Sequence, residues 1–267
     1  MPALQRTEPP AEPAAVAREP AAARRPPAAR RTVLVGGHES RYGGAIDGPP
    51  GVTVTAVGRE LYAATRHPAI VVPMTLGRDA ELASQTAQLL RWNGRGREPG
   101  ELLLAPPLGT AAHLVGWLRA AAGRAAVPDT PGLPDTAAAG FRAVLVTAPA
   151  ASAEEDAELF RVAHLVRRHS GLRWVEVAFT GGEPDIAEGV SRCRLLGARH
   201  VTVVPASFDE PALPEGVTWA GPLLTPAALT ELVGRRVEAA RDRWARDADD
   251  GLAAVSAGHH HHHNHRH

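Results

Sequence analysis

The run Gly36-Gly37-His38-Glu39-Ser40-Arg41 sets an imidazole, a carboxyl, a hydroxyl and a guanidinium directly after the short apolar stretch Thr32–Gly36 (TVLVG). A neutral imidazole binds a divalent metal or accepts a proton, and paired glycines let the backbone turn sharply beneath it. A β-branched apolar run closed by glycine reads as a buried parallel strand. Polar residues just past the carboxyl end of such a strand lie where open α/β sheets hold ligands. A loop with solvated His and Arg side chains is the alternative reading of the same six residues.

A second concentration of chemistry lies at the carboxyl end. His259, His260, His261, His262, His263, His265 and His267 are seven of the chain's 13 histidines. Dense imidazole suits Ni2+, Co2+, Zn2+ and Cu2+, and several equivalent sites on a tether raise the local metal concentration near a folded core. An expression tag is the alternative reading. Against it, Asn264 and Arg266 interrupt the run.

Other candidates carry less chemistry. Thr180-Gly181-Gly182 is followed by no lysine, which excludes a Walker loop. Cys193 lies between Arg192 and Arg194, whose charges would favour its thiolate; a small packing residue is the alternative. His113, beside Leu114, Val115 and Trp117, reads as a structural histidine or a substitute ligand. Trp92, Trp117, Trp174, Trp219 and Trp244 have no regular spacing and read as packing residues.

The elements that must position these groups alternate in type. Apolar runs predict strands at 32–36, 52–57, 69–74, 101–105, 142–147, 173–179, 200–205 and 217–220. Helical spacing covers 79–92 with Asp79 as a cap, 110–122 with Thr110 as a cap, 184–196 and 226–246. It also covers 152–169, where Ser152 and Glu155 form a capping-box pattern. Short strands alternating with longer helices indicate an α/β protein with mostly parallel sheets. The halves echo each other, with Val71-Val72-Pro73 answered by Val203-Val204-Pro205. The organisation expected is a disordered Pro/Ala/Arg-rich head at 1–31, a first half at 32–122 and a linker at 123–140. A second half at 141–246 and a linker with the His-rich tail at 247–267 complete it.

Composition excludes several classes. Lys+Arg and Asp+Glu are both 29, so no global charge draws the chain toward nucleic acid. No apolar stretch is long enough to span a bilayer. A single cysteine excludes an internal disulfide framework and a paired-Cys zinc site. With no secretory signal pattern, a cytoplasmic location is expected.

Strand-Gly-His-x-Ser-Arg at the start of the fold resembles the opening motif of the class II chelatases, the sirohydrochlorin cobaltochelatase and ferrochelatase group, and its CbiX-like branch above all. The stretch from Trp174 to Pro205, with its Glu-Pro turn and Gly-Ala-x-x-Val-x-Val-Val-Pro pattern, is similar to the same family, as is Gly221-Pro222-Leu223 before a helix carrying Arg235-Arg236. The resemblance implies tandem chelatase-like three-layer halves. It implies a lyase-type enzyme that inserts Co2+, or alternatively Ni2+ or Fe2+, into a tetrapyrrole. It assigns His38 as metal ligand and catalytic base, Glu183 as a carboxylate near the metal, and Ser40 and Arg41 as substrate-binding neighbours. The family's second histidine, expected after the Val-Val-Pro strand, is not found: Met74-Thr75-Leu76-Gly77-Arg78-Asp79 follows the first such strand and Ala206-Ser207-Phe208-Asp209-Glu210 the second. Little room is left between His38 and Val52 for the family's first helix. A non-catalytic Ni/Co metallochaperone or metal-storage protein on the same fold is the alternative function.

Overall fold

A computed structural model describes residues 29–126 and 141–253. The head up to residue 28, residues 127–140 of the expected linker and the whole histidine tail lie outside the described residues. The first unit runs β1 (Arg31–Gly36), a single 3-10 turn (His38–Ser40), β2 (Val52–Ala56), α1 (Arg59–Ala64), β3 (Ala69–Met74), α2 (Leu82–Asn93), β4 (Leu102–Leu104) and α3 (Ala111–Ala126). The second runs β5 (Phe141–Pro149), α4 (Ala153–Ser170), β6 (Trp174–Thr180), α5 (Ile186–Leu195), β7 (Ala198–Pro205), β8 (Thr218–Trp219) and α6 (Pro226–Asp247).

Both sheets are wholly parallel and share one order, β2-β1-β3-β4 and β6-β5-β7-β8. The echo heard in the sequence is structural. Pro73 pairs with Val35 on β1, and Pro205 pairs with Thr147 on β5, so the two Val-Val-Pro runs occupy the same strand of each sheet. Side chains alternate across each strand. Val33, Val35 and Val71 bury one face of the first sheet against Leu82, Ala87 and Leu90 of α2. Leu34, Ile70, Val72 and Leu103 bury the other. Burial on both faces is why these strands read as continuous apolar runs.

Helices α3 and α6 do not stay with their own sheets. Residues 37–51 link β1 to β2 with only a 3-10 turn, so no local helix covers that face of the first sheet. The covering helix is α6, whose Leu229, Leu232, Val233, Val237 and Ala240 pack on Leu34, Ile70, Val72 and Leu103. Reciprocally, α3 places Leu114 and Leu118 against Val144, Val146 and Leu159 of the second unit. After α6 the chain returns to the first sheet, where the Leu104 N–H donates to the Asp250 carbonyl at 2.8 Å, giving edge strand β4 a partner. The expected helices hold, with α3 extended to Ala126 and α5 capped by Asp185. Helix α1 is an addition, and no helix among the described residues is long and apolar enough to cross a membrane.

Because α3 and α6 are exchanged, the two units should unfold together. Leu118→Ala, a change in the first half of the chain, is expected to cost about 2–5 kcal/mol. It should shift one urea transition that far-UV circular dichroism and tryptophan fluorescence report at the same midpoint.

Candidate functional site

Each sheet reverses its strand order between its first and third strands, and ligands in such sheets bind outside the carboxyl ends of the strands at that reversal. The first unit puts His38 just past β1 and Asp79 just past β3. The second unit brings Glu155, in the first turn of α4, to the same point. Their ligating atoms lie within 4.8 Å of one another. His38 Nδ1 is 3.2 Å from Asp79 Oδ2 and 3.9 Å from Glu155 Oε1. The side chains are largely buried, at 15%, 11% and 21% exposure in that order, yet they line a cavity of about 680 Å³.

Local backbone chemistry aims all three. Arg41 and Tyr42 adopt left-handed conformations to close the turn after His38. Ser40 Oγ stitches that turn, donating to the Gly37 carbonyl and accepting from the Gly43 N–H, both at 3.1 Å. A Cβ at Gly37 would stand 1.8 Å from Asp79 Oδ2, so any other residue there would push that carboxylate aside. Asp79 Oδ1 accepts the Leu82 N–H at 3.0 Å at the start of α2. Glu155 Oε2 accepts the Ser152 N–H at 3.1 Å, closing the capping box of α4. Each carboxylate therefore holds a helix N-terminus with one oxygen and turns the other toward His38.

Charge is distributed accordingly. Burial opposes a charged His38, but the Asp79 hydrogen bond and the charges of Asp79, Glu39 and Glu155 outweigh it and raise the imidazole above its ordinary 6.5. Burial likewise opposes the Asp79 anion, and its bond to His38, the His38 charge and the backbone N–H groups of Leu82 and His38 outweigh that and lower its carboxyl below 3.8. His38 Nε2 is buried without a hydrogen-bond partner among the described residues. One imidazole and two carboxylates form a borderline N/O donor set of the kind that divalent first-row ions take.

Behind the cluster lies a buried ionic seam. Glu39 is fully buried and accepts the Leu76 N–H at 2.9 Å and the Arg78 N–H at 3.2 Å. Burial pushes its carboxyl up, against the Thr75 hydroxyl and the Arg78 charge. The Arg78 side chain, wholly inaccessible, crosses into the second unit and donates to the Pro149 carbonyl at 3.3 Å and to Asp156 Oδ1 at 3.0 Å. The Phe208 N–H donates to the Glu39 carbonyl at 2.9 Å, a further link between the units.

Of the residues expected from sequence, His38 is central. Ser40 is buried within the turn, and Arg41 reaches Asp209 of the second unit at 2.5 Å. Glu183 is exposed in the turn before α5 and belongs to neither the cluster nor the cavity lining. His113 is exposed, bonded through Nδ1 to Thr110 Oγ1 at 2.8 Å and stacked on Trp117. Burial and the charge of Glu176 push the Cys193 thiol up to about 11, so the flanking arginines do not activate it. Trp92 is 63% exposed, contrary to the packing role expected of it. Sequence reasoning missed the oxygens of Asp79 and Glu155 that face His38. It identified both residues as helix-capping groups, and the available signal was their place after the first and third strands of the two repeats.

No protein-family model matches the chain, and no curated protein matches it. Among solved structures, SirB from Bacillus subtilis with Fe3+ is similar at a TM-score of 0.49 and 14% identity, over 83% of this chain and 100% of that one.

The His38–Asp79 pair has a definite pH signature. Its His38 part is fully present below 6.5 and lost as pH rises through the raised folded value, while its Asp79 part is present above 3.8 and lost as pH falls through the lowered one. Asp79→Asn is therefore expected to destabilise by roughly 1–3 kcal/mol near pH 5.5 and by less at pH 9, as urea titrations at the two pH values will show. Arg78→Met, which strands Glu39 and Asp156 without their cation, is expected to cost about 3 kcal/mol or more by the same method.

Proposed function

We propose that the protein is a metal chelatase of the sirohydrochlorin type, taking a divalent cation at His38, Asp79 and Glu155 and inserting it into a tetrapyrrole, with Co2+ as the leading metal and Ni2+ or Fe2+ as the others. The observation that carries the reading is the convergence of those three ligating atoms within 4.8 Å, contributed by both units at the strand-order reversal. The Gly-His-x-Ser-Arg resemblance supports it, with Asp79 supplying a carboxylate from the segment where the family has its second histidine.

The chemistry asks little more of the residues. A free ring plus a divalent ion gives the metallated ring plus two protons from the pyrrole nitrogens. His38 must shed its own proton to bind the ion. As the ion leaves for the ring, the freed imidazole and carboxylates receive the pyrrole protons in this reading. Two carboxylates and one imidazole hold the ion without the grip of thiolates, which suits a metal in transit. Glu183 stays a candidate carboxylate that would approach a bound ring from its exposed turn, with Ser40 and Arg41 supporting the His38 turn. The seven tail histidines are a metal-loading segment that feeds the cluster.

The test is Co2+ insertion into sirohydrochlorin followed by absorbance, in the parent, His38→Ala, Asp79→Ala and a chain ending at Gly258. His38→Ala is expected to abolish insertion and Asp79→Ala to reduce it by roughly 100-fold or more, the scale of losing a proton-accepting group. Tail removal should slow insertion only when metal is scarce. An unchanged rate in His38→Ala would remove the cluster from the reaction. No insertion by the parent, with stoichiometric Co2+ binding that disappears with the tail, would favour a metallochaperone.

A further inference from the structure

A second concavity, of about 720 Å³, opens beside the cluster cavity and shares Val57 and Gln85 with it. Its walls carry Arg59, Arg91 and Arg95 together with the rings of Tyr62 and Trp92. None of these three arginines has a carboxylate partner among the described residues, whereas Arg161, Arg192, Arg235 and Arg241 on other helices all do. Trp92 is 63% exposed and Tyr62 40%, and the Arg95 guanidinium lies 4.4 Å from the Trp92 ring centroid.

The two cavities share a helix face. Gln85, Gln88, Leu89 and Trp92 follow one another at helical spacing along α2. From Gln85 beside the cluster to Trp92 is about 10 Å along the axis, at 1.5 Å per residue. One continuous face therefore passes from the acidic end at the cluster to a cationic, aromatic end.

We propose that the Arg59/Arg91/Arg95 groove with Trp92 and Tyr62 recognises the anionic periphery of the ligand served by the cluster, a planar aromatic polycarboxylate. The assignment rests on the chelatase reading for the ring. Guanidinium groups pair with carboxylates in forked geometry, and exposed indole and phenol rings stack on a flat π system. The charge pattern selects this class over a nucleic acid. Asp79, Glu81, Glu154 and Glu155 line the adjoining cavity and would repel a phosphodiester backbone continuing along the face. A ring that meets the cation at the cluster and carries its carboxylates at the rim satisfies both ends.

The test uses the full chain, a metal-free octacarboxylate porphyrin as probe, and a tetracationic porphyrin as control, with binding read from the porphyrin absorbance. Substitutions at Arg91, Arg95 and Trp92 alter exposed side chains, so folding is not at risk. Arg91→Gln with Arg95→Gln is expected to raise Kd for the octacarboxylate roughly tenfold or more. Trp92→Ala should raise it severalfold, Co2+ affinity should stay within about twofold of the parent, and the double substitution should not weaken any binding of the cationic ring, which the acidic cavity attracts. Parent-like octacarboxylate binding by the double variant, or an equal loss of cationic-ring binding in it, would overturn the proposal. So would a thymidine oligonucleotide that outcompetes the porphyrin in the parent and loses affinity in the double variant, which would make the groove a nucleic-acid platform. Groove-dependent porphyrin binding without Co2+ insertion would sink the chelatase reading and leave the groove standing. Insertion that depends on His38 but not on these arginines would do the reverse.

Discussion

The buried guanidinium of Arg78 is the constraint around which the rest is arranged. An unpaired cation removed from water costs several kcal/mol, so its surroundings must supply acceptors from both units. Asp156 and the Pro149 carbonyl do so from the second, and Glu39, beneath it, supplies charge from the first. Because Arg78 precedes Asp79, and Asp156 follows Glu155, satisfying the cation also sets the two cluster carboxylates at a fixed separation. Glu39 does the same for its neighbour His38 through the Leu76 and Arg78 N–H groups. The cluster residues are each one position away from the ionic seam that joins the units.

Helix exchange gives that seam a stiff frame. The link from β1 to β2 has no room for a full helix, which leaves one face of the first sheet to be covered by α6 from the far end of the chain. With α3 lying on the second unit, neither sheet buries its apolar faces without the other half of the sequence. A site assembled from both units then acquires the rigidity of a shared core. The same shortened link keeps the His38 turn tight, with Gly36 and Gly37 allowing Ser40 and Asp79 to approach where any Cβ would collide.

Much of this was legible in the residues. The strands announce themselves because burial on both faces demands uninterrupted apolar runs, as in Ala69–Met74. Ser152 and Glu155 declare a capping box, and the structure contains it. His38 stood out because an imidazole after two glycines, just past a strand, lies where open α/β sheets hold ligands, although a solvated loop explains the same residues. Asp79 and Glu155 were harder to recognise as ligands. A helix cap is a sufficient local explanation for either residue, and a carboxylate's second oxygen leaves no trace in the sequence. Trp92 was misplaced for a related reason, since the irregular spacing of the tryptophans does not say whether another element covers a given helix face.

By itself the sequence determined the alternation of strands and helices, the repeat, the turn at His38 and the helix caps. All of these depend on residues within a few positions of one another, whose preferences are set by backbone sterics and local hydrogen bonding. Only the tertiary structure decided that Asp79 and Glu155 meet His38, that Arg78 bridges the units and that α3 and α6 change places. Those contacts span from tens of residues to more than a hundred, and they are chosen by which arrangement buries every apolar face while leaving no buried charge alone.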